Sequence, residues 1–561
     1  MISTNRSKTL WSVTALIVLA GAAVFFYHMS RFDTDTLRVR LIKLLPIWLE
    51  INFTLIVIAF ALCSRTLFSE FVSLERRHKY YLAAIVLLAF GAAFFIAPRV
   101  HRIFYDENIY LNIGQNIAYL GRASMCNDGD NIYGVYKCSV DEFNKQPYGY
   151  PFLLAMAFRL VGSSEALGHL LNNIFFAASA VVVFLIARNL FGDIRVSLCS
   201  SLIYVLIPHN IIWGNTAAVE PSTALFTGMT VMALLHFLKE KTMSALFLFS
   251  ALLPLSLQFR FESILILPVL LMLIVLNDWK ILKTREFYLF MALSLVLALA
   301  HMLQLYTVRG DSWGASGAKM SLSFMLHNLK TNGMFYLDDK RFPMIVTLLF
   351  AVGVFYKRDY LRERLVIAAW FLLFWGVFLT FYAGSYDYGQ DVRYSVVSYM
   401  PLSLLAGLGL SRLWSIVVSR KYITVAAGVI FVMLILARIP YIRAEGEEAW
   451  ECRVDHVQAR EMFSMVDREN SVILTHNPGM FLLWGANAAQ TSTLTYNTNR
   501  MNYFFERYGK NVYFHYNYWC NVDNPVQKKF CQDILNTFEC ERISFYTVQN
   551  RIFALYRIKR K

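Results

Sequence analysis

The chain has 561 residues, of which 57% are hydrophobic and 16% aromatic, and its mean hydropathy is +0.46. Only 16% of its residues are charged; soluble globular proteins carry about a quarter, so a soluble enzyme is excluded. The net charge of +15 does not require a nucleic-acid partner, because Lys and Arg collect in the cytoplasmic loops of polytopic proteins.

About thirteen apolar segments follow in chain order: 9–28, 45–68, 80–98, 168–190, 195–213, 221–238, 243–258, 262–276, 286–307, 343–356, 365–383, 395–414 and 421–438. About 20 apolar residues span a bilayer, so the fold class is an α-helical polytopic membrane protein. The pair at 243–276 also reads as a re-entrant hairpin. The first run is longer than a signal-peptide core and lacks a small-x-small cleavage site, so it is read as a span.

Basic residues cluster at Arg76, Arg77 and Lys79; at Arg188 and Arg195; at Lys239 and Lys241; at Lys280, Lys283 and Arg285; at Lys357, Arg358, Arg362 and Arg364; and at Arg412, Arg420 and Lys421. All fall on one side if the spans alternate, and that side is the cytoplasm. Arg31, Arg38, Arg40 and Lys43 fall on the other side, against the trend. The N-terminus is then cytoplasmic. The outer side receives the first large loop (99–149), the loop 308–342 and everything after 439. The expected organisation is two leading spans (1–79), a membrane catalytic unit (80–439) and an extracytoplasmic tail of mixed α/β type (440–561).

Asp106 and Glu107 open the segment YDENIYLNIGQNIAYLGR, about eight residues beyond the third apolar run. Two acids are too costly to leave in hydrocarbon, so they lie just outside the bilayer. Ile109, Ile113, Ile117 and Leu120 recur every three or four residues, as in a helix lying along an interface. Six cysteines lie outside the spans, an even number that suits an oxidising compartment. Cys126 and Cys138 flank a short loop and are disulfide candidates. The tail's Cys452, Cys520, Cys531 and Cys540 allow three pairings.

Three stretches together resemble a known family: DENIYLNIGQNIA; then QPYGYPFLLAMAFRLVG with LLNNIFFAASAVVVFLIARNLFG; then DVRYSVVSYMPLSLLAGLGL. Their order, spacing and sidedness resemble the GT-C glycosyltransferases that use lipid-phosphate sugars. Protein O-mannosyltransferases, the aminoarabinose transferases of lipid A and bacterial galacturonosyltransferases belong to that group. The likeness covers roughly residues 80–415. It implies an inverting transferase with a polyprenyl-phosphate sugar donor, an acceptor (lipid, glycan or protein) arriving from the outer side, and Asp106 as base. A bacterial inner membrane is the implied setting. The chain departs from the pattern in having two additional leading spans, Gln146-Pro147-Tyr148 where many members have Lys-Pro-Pro (Lys145 stands one residue early), and Glu220 where many have Asp.

The residues themselves allow this chemistry. An acceptor hydroxyl needs a base within hydrogen-bond reach, and Asp106 can supply it; its other reading is a helix N-cap. Glu107 is placed beside it in the catalytic pair, to bind a metal, steady an arginine or hold the sugar. Its other reading is a first-turn acid favoured by the helix dipole. Arg260 and Arg393, each at an outer boundary, suit a lipid phosphate, since guanidinium stays charged and binds oxygens in pairs. Glu220, Tyr110 and Lys145 are supporting candidates. No cofactor is demanded; a divalent metal is compatible, though a lone His209 or His301 does not build a site. The Gly-rich stretch in 308–342 reads as a lid. The rival classes are a secondary transporter, for which a midplane site and internal repeat are the marks, and a lipid-linked oligosaccharide polymerase or ligase.

Overall fold

The computed structural model describes residues 5–103, 105–312, 315, 317–355, 359–387, 391–417, 421–447 and 450–561. Lys357, Arg358 and Arg420, and part of the Gly-rich stretch (Trp313, Gly314 and Ser316), lie outside the described residues.

Every apolar segment expected to span falls on a helix. Among the described residues seven helices, from Thr34–Val72 to Val425–Ala444, are long and apolar enough to cross a membrane, and there are shorter apolar helices besides. Local chemistry sets several boundaries. Asp33 accepts from the Thr36 N–H at 2.9 Å and starts one helix. Ser164 accepts from Leu167 at 3.2 Å and starts Glu165–Phe191. Each satisfies an N–H that the helix leaves unpaired. Large apolar side chains remain exposed along these helices, among them Leu62, Leu87 and Leu372, as expected where the solvent is lipid. The chain is an integral membrane protein. The pair at 243–276 forms two separate helices, Met243–Ser256 and Ile266–Asp278, joined through the segment that carries Arg260.

Beyond the helices stands one seven-stranded sheet. Its strands are β1 (Met125–Ile132), β2 (Val135–Glu142), β3 (Val472–Thr475), β4 (Asn487–Gln490), β5 (Val512–Tyr516), β6 (Phe538–Val548) and β7 (Arg551–Arg560). The order is β2-β1-β4-β3-β5-β7-β6. β3 runs parallel to β4 and β5, and the other pairs are antiparallel. The sheet is therefore not the tail's alone: the first outer loop contributes a hairpin, and β1 joins β4 through Asp128↔Ala489 and Gly129↔Ala488. Arg500 locks this seam with bonds to Asp128 at 2.6 and 2.7 Å and to Asp130 at 3.2 Å. Cys126 is disulfide-bonded to Cys138 across the hairpin, and Cys520 to Cys531 in the tail; Cys540 is free.

The helix Asp106–Leu120 lies beneath this sheet. Ile113 and Ile117 are buried as the periodicity predicts, but so are Asn108, Asn112, Gln115 and Asn116. The polar face meets protein instead of water. Asn112 accepts from the Cys126 N–H at 2.7 Å, Gln115 donates to Leu482 O at 3.4 Å, and Asn116 donates to Ser124 O at 2.7 Å. Buried amides require such partners, and the hairpin and tail provide them.

The tail's own core implies a pH response. Burial depresses His515 to about 3 and His476 to about 4. Both rings stay neutral in the native state while the unfolded chain takes up protons below about 6.5. Stability is thus lost as pH falls from about 6.5 toward 4. Thermal unfolding of the purified chain should show a melting point that falls across this window, and a shallower fall in His515→Gln. Equal slopes would contradict the assignment.

Candidate active site

Asp106 is the first residue of its helix, and the N-cap position belongs to Tyr105, so Asp106 does not cap. Its side chain is about one-third exposed, and its ionic contact is with Arg393, 3.9 Å away. Arg393 is also 3.7 Å from Glu220. Glu220 is fully buried and receives Arg260, which in turn bonds Glu262. Both guanidiniums lie against the Tyr394 ring, at 5.3 Å for Arg260 and 5.1 Å for Arg393, a favourable cation–π placement. Four separate segments thus bring two arginines and three acids to one place.

Gly149 helps to position Arg260. Its N–H donates to Gln258 O at 2.7 Å, and a Cβ there would stand 2.6 Å from that oxygen. Only glycine admits this approach, which ties the Pro-Tyr-Gly-Tyr-Pro stretch to the turn carrying Arg260.

These charges border a cavity of about 270 Å³ with Tyr110, Gln146, Phe378 and Phe381 in its wall. Met320, from the loop 308–342, lines part of it and bridges to Phe381. Beyond Asp106 lies a second, more polar cavity of about 290 Å³, faced by Asn112, Asn127, His476, Gln490 and Trp519. Asp106 borders both cavities. A larger cavity of about 660 Å³ lies elsewhere among apolar residues such as Leu198, Leu202 and Phe431, and no carboxylate lines it.

Glu107 stands apart from the cluster around Asp106. It lines neither cavity, and its carboxylate is fully buried on the opposite side of the helix. Both oxygens are engaged: Oε1 accepts from the N–H groups of Arg102 (2.6 Å) and Ile103 (3.0 Å), and Oε2 accepts from Ala217 (2.7 Å) and lies 3.3 Å from His101. Burial opposes its charge, but His101 and these donors hold it at about 2. Successive helix residues point about 100° apart, and here that turns Glu107 away from both cavities. Glu107 ties the segment before Asp106 to the loop at Ala217, and it offers no free oxygen to a reacting centre or to a metal there. Lys145 also lies outside both cavity walls, and Gln146 stands in its place. His209 packs among Phe335, Phe342 and Tyr399, and His301 faces Gln304; neither lines a cavity beside Asp106.

Sequence reasoning missed Tyr394, Glu262 as a wall of the site, and the second cavity. The first two sit beside residues already singled out. The third is assembled from the outer loop and the tail, and no local pattern announces it.

Comparison with known proteins bears on the fold. A family model described as dolichyl-phosphate-mannose-protein mannosyltransferase matches residues 145–303. The apo structure of ArnT from Cupriavidus metallidurans superposes with a TM-score of 0.51 at 13% identity, covering 85% of this chain and 97% of that one. A structure of ArnT bound to undecaprenyl phosphate gives 0.49 at 13%, with the same coverage. The oligosaccharyltransferase of Archaeoglobus fulgidus gives 0.46 at 11%, covering 85% and 74%. No curated protein matches the chain in sequence. The molecule is a polytopic membrane protein with a sheet domain seated on its helices. Its fold resembles that of ArnT.

Proposed function

We propose that the chain is an inverting glycosyltransferase that moves a sugar from a polyprenyl-phosphate carrier to an acceptor on the outer face of the membrane. The observation that carries this reading is Asp106, the acid shared by two cavities of opposite character. One has aromatic and aliphatic walls and two arginines, which suits a lipid phosphate. The other is polar and bordered by the sheet domain, which suits an acceptor. Asp106 takes the proton of the acceptor hydroxyl. The freed oxygen attacks the anomeric carbon as the C1–O bond breaks, and the electron pair leaves on the lipid phosphate. Arg260 and Arg393 stabilise that developing charge. A phosphate leaves without a general acid, unlike the two-carboxylate glycosidase scheme.

The basic clusters support a reading in which the sheet domain and Asp106 lie outside the cytoplasm, and a bacterial inner membrane fits that setting. The cavity is walled by helix ends and loops rather than by broken helices at mid-membrane, which counts against a transporter. Transfer should be measured in membranes supplied with a panel of polyprenyl-phosphate sugars and extracted acceptors. Transfer of one sugar, with inversion at its anomeric carbon, is expected. Uptake of a solute without transfer would overturn the reading, and transfer of a whole chain would move it to a polymerase or ligase.

A further inference from the structure

A second cluster of ionisable groups lies outside both cavities, where the tail meets the helices. His101 stands five residues before Asp106, Glu165 begins the helix Glu165–Phe191, and His456 lies on the helix Trp450–Phe463. Each offers one ligand atom, and the three atoms lie within 4.8 Å of one another. Glu165 Oε1 is 3.2 Å from His456 Nε2 and 3.6 Å from His101 Nε2, and the two rings lie 4.4 Å apart. His101 is 5% exposed, with Nδ1 turned to Glu107 and Nε2 to Glu165, and Nδ1 of His456 makes no hydrogen bond.

The geometry points to a structural divalent-metal site, best suited to Zn2+, formed by Nε2 of His101, Nε2 of His456 and Oε1 of Glu165. Two imidazoles and one carboxylate are a common zinc donor set, with water completing a tetrahedron. The surroundings suit it. Glu107 Oε2 lies 3.3 Å from His101 Nδ1, the outer carboxylate that usually orients a ligating histidine. Arg460 holds Glu165 Oε2 at 2.7 Å and Trp484 donates to Oε1 at 3.0 Å, which fixes the carboxylate to bind through one oxygen. Ligand atoms around zinc stand about 3.3 Å apart, so small side-chain rotations close the set. His169 lies 5.5 Å from His101, ring to ring, with Nδ1 turned to Asn215 O at 2.9 Å. His476 with Cys520 and Cys531 is no rival, since those sulfurs are bonded to each other. Two ligands belong to the membrane portion and one to the tail, so the ion would pin the sheet domain beside the strand of chain that enters Asp106. It positions the site and does not touch the reactants.

The full chain, purified in detergent through a histidine-free tag, should be stripped with chelator, reloaded with Zn2+ and analysed for metal and for thermal unfolding. About one zinc per chain and a raised melting point are expected, because a ligand bound only by the native state stabilises it. Glu165→Gln keeps the shape that meets Trp484 and should lose at least about tenfold in zinc affinity, and His456→Ala should hold far less than one zinc. Loading with Co2+ should give tetrahedral d–d bands in the wild type that Glu165→Gln lacks, a readout independent of whether His456→Ala folds. Zinc content near zero in the wild type, or equal to it in Glu165→Gln, would overturn the assignment and leave the cluster as an imidazolium held between Glu107 and Glu165.

Discussion

Asp106→Asn is expected to lower sugar transfer by roughly a hundred- to ten-thousand-fold, the usual contribution of a positioned base, with little change in the melting point. The two halves of this result have separate causes. Asparagine has the same shape but cannot take the acceptor's proton, so the chemical step loses its base. The fold does not miss the carboxylate, because Asp106 neither caps its helix nor makes a short ion pair: its contact with Arg393 is 3.9 Å. Substitutions at such partly exposed positions usually change stability by about 0.5 kcal/mol or less. Affinity for the lipid donor should hold or rise slightly, since a negative charge leaves the neighbourhood of the phosphate. Single-turnover transfer with saturating donor, compared with donor binding, checks both parts. Unchanged transfer by the variant would remove Asp106 from the chemistry.

Glu220→Gln should show the reverse pattern, a large loss of stability that a ligand restores. Glu220 is fully buried and faces two guanidiniums, Arg260 and Arg393. Breaking a buried ion pair from one side costs about 3–5 kcal/mol, because the remaining charge is left uncompensated. Here two like charges would remain, with Glu262 still bonded to Arg260 and Asp106 3.9 Å from Arg393. A lipid phosphate can replace the missing anion. The melting point of the variant should therefore fall by several degrees and rise more steeply with added polyprenyl phosphate than that of the wild type. A variant as stable as the wild type, or one that lipid phosphate does not rescue, would show that the arginines do not depend on Glu220 and do not receive phosphate.

The membrane helices were legible in the sequence because hydropathy is a local property and the bilayer sets their length. The place of Asp106 at the start of a helix just after an apolar run was legible for the same reason. Its separation from Glu107 was not. Adjacent acids look equivalent in a sequence, and only the burial of one face against Ala217 and His101 distinguishes them. Arg260, Glu220 and Arg393 were each visible as boundary charges, but their meeting depends on the close approach at Gly149 and on how the helices pack. The sheet was half legible. The tail's strands follow local patterns, whereas the membership of β1 and β2 rests on a pairing between distant parts of the chain.

That pairing has a consequence for the order of biosynthesis. Arg500 and Asp128 are 372 residues apart in the chain, and β1 finds its partner β4 only after the last membrane helix has been made. Contacts so far apart form late in folding. The hairpin beside the helix of Asp106 must therefore wait, with one strand edge open, until nearly the whole polypeptide has emerged. A chain that stops before residue 487 keeps every membrane helix and both arginines but never completes the wall of the polar cavity. The wall of the polar cavity is thus one of the last parts of the molecule to form.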